Sequence, residues 1–129
     1  MDYGKIAVSV VEKYKPGQDI RQCWECELVG VTDKESSIKK SCPLSAFLGL
    51  CEDGYIKGIP KGKYTKSYKN KKYAVVTADI VLASDNINHD PDMLWQKIKE
   101  YIPDRCDTPN SQVNIVLALK EASFLQKPE

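Results

Sequence analysis

Hydrophobic residues along this chain recur at intervals of three and four, which is the spacing of one face of an α-helix. Six such stretches follow one another, separated by segments rich in proline, glycine, serine and aspartate. The pattern predicts an all-α fold, a compact orthogonal bundle of about six helices. The positions expected to face inward are, in chain order, Tyr3, Ala7, Val10, Val11, Tyr14, Ile20, Cys23, Trp24, Leu28, Val31, Leu44, Phe47, Leu48, Cys51, Tyr73, Val76, Thr77, Ile80, Val81, Leu94, Trp95, Ile98, Tyr101, Val113, Ile115, Val116, Leu117 and Leu119.

Residues typical of helix ends fit these stretches. Asp19 is a predicted N-cap, with Gln22 three residues later as in a capping box. Asp90 followed by Pro91 predicts the start of the fifth helix. The last helix, capped by Asn110, is apolar around most of its circumference, which predicts a central position in the bundle.

The middle of the predicted fold is a helix–loop–helix centred on residues 43–84. Pro43 suits the first position of its first helix, which Ser41 or Cys42 would cap, and Gly54 suits the C-terminal end. Thr65 or Ser67 can cap the second helix. The connection "YIKGIPKGKY" has two glycines and a proline, so it is a predicted loop, whose two isoleucines are expected to pack onto the core.

Strands are the competing interpretation for three segments rich in β-branched residues, "KIAVSVV", "YAVVTADIVLA" and "VNIVLAL". Their lengths and caps fit helices better, and hairpin signals between them are missing. We therefore predict that residues 1–129 form a single helical domain, long enough to bury one core.

Charge is distributed unevenly along the chain. The net charge is +1, but residues 1–53 carry −2, residues 54–78 carry +7 without a single acid, and residues 79–129 carry −4. The overall charge therefore indicates little about partners, whereas the charge of +7 on residues 54–78 indicates an anionic one.

Residues 55–73, the lysine segment, contain seven lysines with tyrosines between them. Lysines neutralise phosphates, and tyrosines stack on bases or hydrogen-bond phosphate oxygens. The preferred hypothesis is a module that binds a polyanion, with nucleic acid as the preferred ligand. Another anionic ligand, an acidic protein partner and a merely solvated basic surface are the alternatives. The candidate ligand-binding residues are Lys61, Lys63, Tyr64, Lys66, Tyr68, Lys69, Lys71 and Lys72.

A larger stretch around this segment resembles a family of short bacterial proteins of unknown function that are expected to be helical. The resemblance rests on Cys42-Pro43, "AFLGLCEDG", "IKGIPKG", "YT" and "NKKYA", and further on "LW" at 94–95 and "NSQ" at 110–112. The shared core has the form CPxxAFLGLCExGxIxGIPxGxYTxSxxNKxYA. The resemblance implies a stand-alone helical domain and assigns no activity.

Cysteines are the other chemically distinctive residues. "CWEC" at 23–26 has the CxxC spacing of zinc and redox sites, but four regularly spaced zinc ligands are missing, and a core role beside Trp24 is favoured. Cys42 opens a predicted helix, where the helix dipole lowers the pKa of a thiol. A thiol-dependent enzyme built on Cys42 with His89, the only histidine, is the alternative function.

The remaining expectations concern what the sequence lacks. It has no apolar run long enough for a membrane span and no signal-peptide pattern, and its odd number of cysteines favours reduced thiols in the cytoplasm. Phosphate-loop, dinucleotide and HExxH motifs are absent. The sequence thus predicts no metal site and no cofactor, and it favours a binding protein over an enzyme.

Overall fold

The computed structural model describes residues 2–32, 34–35, 41–65, 68–83, 90–102 and 112–128. Within these ranges the chain forms six helices of ten or more residues, and no strand, which confirms the all-α prediction. The helices are α1 (Tyr3–Lys13), α2 (Ile20–Val29), α3 (Ser41–Asp53), α4 (Tyr68–Ala83), α5 (Pro91–Tyr101) and α6 (Gln112–Glu121). Helices α3 and α4 correspond to the predicted helix–loop–helix.

Aspartate side chains cap three of the helices. Asp2, Asp19 and Asp90 have extended backbone, and each carboxylate accepts hydrogen bonds from first-turn backbone N–H groups of α1, α2 and α5. These bonds satisfy donors that a helix cannot satisfy itself. The predicted caps at Asp19 and Asp90 are thereby confirmed, whereas the predicted caps Ser67 and Asn110 lie outside the described residues. Helix α3 already begins at Ser41, so the predictions of Pro43 as its first residue and of Ser41 or Cys42 as its cap are wrong.

Aromatic rings join the helices at two places in the core. Trp24 of α2 is fully buried and stacks on Tyr3 of α1 and on Phe47 of α3, with ring centroids 6.2 and 5.2 Å away. Tyr73 of α4 meets Trp95 of α5 edge-on at 5.3 Å. Such pairs add to the large apolar area that each ring removes from water.

Helix α6 lies at the centre of the packing, as its apolar circumference predicts. It contacts α1, α3, α4 and α5. Its approach to α1 is close, because a Cβ atom added at Gly4 would come within 2.9 Å of the Ala118 Cβ.

Two residues expected to face inward are exposed instead. Val31 is 62% exposed because α2 ends at Val29, so the helical spacing that predicted its burial does not extend to it. Tyr101 is 56% exposed at the last residue of α5, where Ile102 takes the buried position. The pattern thus failed where helices end.

None of the helices in the described ranges has both the length and the apolar character that a membrane span requires.

Helices α3 and α4 form the most extensive helix contact in the described structure, and Gly49 allows it. A Cβ atom at this position would lie 2.6 Å from the Cβ, 2.7 Å from the Cγ and 2.8 Å from the Cα of Lys71. The last of these is a backbone atom, so the clash could be relieved only by moving the helices apart. Gly49 therefore sets the distance at which Lys71 passes α3.

Replacing Gly49 by alanine is expected to lower the free energy of unfolding by about 1–3 kcal/mol through overpacking. Chemical denaturation measures this change. Gly30→Ala is the matched control, because its Cβ would meet its nearest atom at 3.6 Å and its backbone is right-handed. We expect that control to be neutral or to stabilise by up to about 1 kcal/mol. Equal effects of the two substitutions would contradict the close approach at Gly49.

Candidate functional site

The first part of the lysine segment is hydrogen-bonded to residues 124–126. Lys57 N–H donates to the Phe124 carbonyl at 2.8 Å, and Gln126 N–H donates to the Tyr55 carbonyl at 2.8 Å. The Gln126 side chain also donates to the Gly54 carbonyl at 3.1 Å. This short antiparallel pairing fixes where the loop leaves α3.

Buried side chains hold the same part of the loop against the core. Ile56 is completely buried and Ile59 is 6% exposed, which confirms that the two isoleucines pack the loop onto the bundle. The Tyr55 hydroxyl donates to Asp79 of α4 at 2.7 Å. Burial, and then the bond to Asp79, raise the pKa of Tyr55, so that hydroxyl stays a donor.

Gly54, just after α3, carries the backbone turn into the loop. Its φ of +86° belongs to the left-handed region, which confirms its predicted role as the C-terminal glycine. The Lys61 side chain covers it, because a Cβ atom here would meet the Lys61 Cε at 2.5 Å. The aliphatic part of Lys61 thus lies along the chain while the residue as a whole is exposed.

Glu52, in the last turn of α3, organises the second part of the loop. One of its carboxylate oxygens accepts a hydrogen bond from Tyr64 N–H at 2.9 Å and another from Thr65 N–H at 3.4 Å. Its backbone carbonyl accepts from Gly62 N–H at 3.4 Å. A single residue therefore satisfies three backbone donors of the loop that precedes α4.

The other Glu52 oxygen pairs with Lys71, on the first turn of α4. Lys71 Nζ lies 2.5 Å from Glu52 Oε2 and 2.9 Å from Asp53 Oδ1. The Lys71 and Glu52 side chains are only 17% and 12% exposed, so water screens this pair weakly. Lys71 was predicted to bind a ligand, but its charge is engaged within the protein, because its ammonium group pairs with both carboxylates at the end of α3.

The protonation of this pair follows from its contacts. Burial opposes the charged form of Glu52, but hydrogen bonds from Lys71, Tyr64 N–H and Thr65 N–H outweigh it and lower the pKa of the carboxyl. Burial also opposes the charge on Lys71, yet its bonds to Glu52 and Asp53 raise its pKa. Both groups are therefore charged near neutral pH.

Most of the other predicted ligand-binding residues face solvent. Lys61 and Lys63 are exposed in the loop, and Lys69 and Lys72 are exposed on the first turns of α4. Tyr68, the first residue of α4, is 78% exposed. Lys57 is exposed as well. It belongs to the lysine segment but was not predicted to bind a ligand. Lys66 lies outside the described residues.

Tyr64 has a structural role in the loop. Its hydroxyl donates to the Pro60 carbonyl at 2.7 Å, and its ring lies over Gly62, where an added Cβ would meet it at 3.1 Å. The residue is half-buried, and burial raises its pKa. Since both its backbone and its side chain brace the loop, we leave Tyr64 out of the ligand-binding surface.

The predicted thiol site is only partly described. Cys42 is the second residue of α3 and is half-buried, whereas His89 lies outside the described residues, so their pairing stays a prediction. Cys51 is completely buried, and burial raises its pKa strongly. Cys23 is half-buried and Cys26 exposed, so the expected core role of the CxxC thiols is not what the structure shows for Cys26.

Metal-ligating side chains do not cluster in the described part of the chain. No group of three or more histidine, cysteine, aspartate or glutamate side chains there is arranged to hold a metal ion. A structural zinc site of the usual four-ligand kind therefore has no basis in these residues.

Comparison with known proteins supplies a family but no activity. A family model described as a family of unknown function (DUF6979) matches residues 1–126. The chain belongs to this family. The membership confirms the predicted relation to a helical family of unknown function, while the bacterial origin and the core motif stay predictions. No curated protein and no solved structure matches the chain.

Sequence reasoning missed the central part that Glu52 plays in this family member. From the sequence alone, Glu52 and Asp53 are two acidic residues at the end of a predicted helix, with no assigned role. A usable signal was present, since these two acids directly precede a segment that has seven lysines and no acid. The sequence could not show which lysine would be drawn to them, because that choice depends on how closely α3 and α4 approach.

The buried character of the Lys71 pair leads to a stability prediction. Lys71→Met removes the cation and leaves Glu52 facing Asp53 in a poorly solvated position, so we expect a loss of about 2–3 kcal/mol in the free energy of unfolding. Lys13→Met is the matched control, since Lys13 pairs with Glu27 at 2.9 Å but is 71% exposed. Its loss should stay below about 1 kcal/mol. Equal losses in urea denaturation would show that the Lys71 pair is no more than a surface contact.

The lowered pKa of Glu52 predicts a pH dependence. A carboxyl whose folded pKa lies below its unfolded value of about 4.3 stabilises the fold above that value, and the stabilisation disappears as pH falls through the folded pKa. Glu27, whose pKa is lowered chiefly by Lys13, acts in the same direction. The difference in unfolding free energy between wild type and Glu52→Gln should therefore be constant from about pH 7 to 5 and shrink towards pH 3. Parallel curves down to pH 3 would argue against it.

Proposed function

We propose that this protein binds polyanions, and nucleic acid in particular, through the exposed lysines on the loop after α3 and on the first turns of α4. The observation that carries the proposal is the separation of charge within the lysine segment. Lys71 pairs with the two acids at the end of α3, whereas the other lysines of the segment that the structure describes are exposed. The described residues of this surface are Lys57, Lys61, Lys63, Tyr68, Lys69 and Lys72.

Glu52 supports the proposal by bringing two parts of this surface to one place. It binds the loop backbone at Gly62 and Tyr64, on either side of Lys63, and it binds Lys71, which lies beside Lys72 on α4. Cations from the loop and from the helix are thereby held at one end of the α3–α4 pair. A preorganised set of charges loses less conformational entropy on binding than a flexible tail does.

The types of side chain on the surface favour contacts to the phosphate backbone. Lysine is a compact charge that contacts phosphates without reading sequence, and the chain has no arginine between residues 22 and 104 to recognise guanine by two hydrogen bonds. Tyr68 offers an exposed ring on which a base can stack. We therefore expect binding with little sequence preference. An acidic protein would use the same lysines and is distinguished by experiment.

The proposal is tested by fluorescence anisotropy of labelled single- and double-stranded oligonucleotides at salt concentrations from about 50 to 200 mM. Lys63→Ala/Lys72→Ala removes one exposed cation from the loop and one from the helix. It should weaken binding to every sequence and reduce the slope of log K against log salt by about 1.4 for single strands or 1.8 for duplex.

Lys97→Ala/Lys99→Ala is the matched control, because it removes two exposed lysines from α5 and leaves the surface intact. Its affinity and salt slope should equal those of wild type. If both double variants weaken oligonucleotide binding equally, the lysine surface is rejected as the binding site, because binding then depends only on the total positive charge. No binding of nucleic acid at the lowest salt would end the proposal.

A further inference from the structure

The CxxC residues lie together on a solvent-accessible part of α2. Cys23 and Cys26 are one turn apart, so their side chains are neighbours on one helix face. Both line a pocket of about 490 Å³ between α1 and α2. Cys26 is exposed and Cys23 half-buried, so a small ligand can reach both sulfur atoms.

Several polar side chains near the two thiols have partners of their own. Cys23 Sγ donates to the Gln18 side-chain oxygen at 3.7 Å, which orients the thiol. Glu27 accepts from Ser9 Oγ at 2.9 Å and pairs with Lys13 at 2.9 Å. The two thiols are therefore the soft donors of the pocket, and the carboxylate of Glu27 already has partners.

Helix geometry argues against a disulfide as the function of this pair. The Cβ atoms of residues three apart in a helix lie about 5–6 Å from each other. A disulfide needs about 3.5–4.5 Å, so forming one inside α2 would distort the helix. An atom inserted between the two sulfurs spans the wider separation without that distortion.

The presence of only two thiol ligands among the described residues that line the pocket indicates which metal ion it could bind. Zinc in structural sites takes four ligands, and the described residues offer no group of three or more suitable side chains. Thiolates select soft ions, among which Cu(I) accepts two thiolates in a linear arrangement. We propose that Cys23 and Cys26 form a two-thiolate binding site for Cu(I), independent of the polyanion surface.

The binding step balances in atoms and in charge. Binding one Cu(I) to the two thiols forms two copper–sulfur bonds and releases two protons, with no change in oxidation state. Two thiolates side by side repel each other, and a Cu(I) ion held between them offsets part of that repulsion, which leaves one net negative charge. Because protons are released, the affinity rises with pH.

The test is an anaerobic titration of the full-length protein with Cu(I) in competition with a coloured Cu(I) chelator of known affinity. Bound cysteines are then identified by their protection from alkylation, read by mass spectrometry. We expect one Cu(I) per chain, with Cys23 and Cys26 both protected. Cys26→Ser, at an exposed position that should not disturb folding, should lower the affinity by at least about tenfold, since even indirect partners of a metal site contribute that much.

Cys42→Ser is the matched control, because it removes a half-buried thiol on a different helix and should leave copper binding unchanged. Cys106→Ser is made in parallel, and unchanged affinity in that variant is also expected. Copper retained equally by Cys26→Ser would overturn the proposal, as would protection of Cys42 or Cys106 in place of the pair. One copper per two chains, with dimer formation on sedimentation, would also overturn it, because the ion would then be shared between chains.

Discussion

Glu52 ends helix α3 with one carboxylate oxygen on Lys71 of helix α4 and the other on the backbone N–H groups of Tyr64 and Thr65. Much of the described centre of the molecule depends on this arrangement. The ion pair joins the two helices that contact each other most extensively, and the carboxylate shapes the loop between them. The pair is possible because Gly49 has no side chain, which lets Lys71 pass close to α3 on its way to the carboxylate. A glycine and a glutamate one turn apart thus act as one unit.

The same interaction separates structural charge from available charge. Lys71 pairs with the acids at the end of α3, whereas Lys63 and Lys72 nearby are exposed to solvent. The loop is held from both ends, by the C-terminal strand-like pairing at Tyr55 and Lys57 and by Glu52 at Tyr64. A basic surface built on such a loop has a fixed shape, which is the property that a polyanion-binding module needs beyond charge alone. Family membership neither adds to nor limits this interpretation, since the family has no described function.

The sequence predicted the features that follow from local physics. Apolar spacing placed the six helices, aspartates marked the starts of α2 and α5, and Gly54 marked the end of α3. Apart from Val31 and Tyr101 at helix ends, what the sequence could not show is how a side chain's environment depends on distant residues. The sequence alone does not distinguish Lys71 from the other lysines of the segment, because its pairing depends on Gly49 and Glu52. It also does not show that the Tyr64 hydroxyl donates to the Pro60 carbonyl. Cys26 was assigned to the core because helical spacing does not reveal that its face borders a pocket.

The most direct test of the central claim is native-state hydrogen exchange at the backbone amides of Tyr64 and Thr65, compared between wild type and Glu52→Ala. The side chain of Glu52 is the partner that those two amides have in the structure, and α1 and α6 provide internal references. We expect slow exchange at both amides in wild type and a loss of protection in the variant, with the protection of α1 and α6 kept. Fast exchange at Tyr64 in the folded wild type, or protection unchanged by the substitution, would contradict the account that Glu52 shapes this loop.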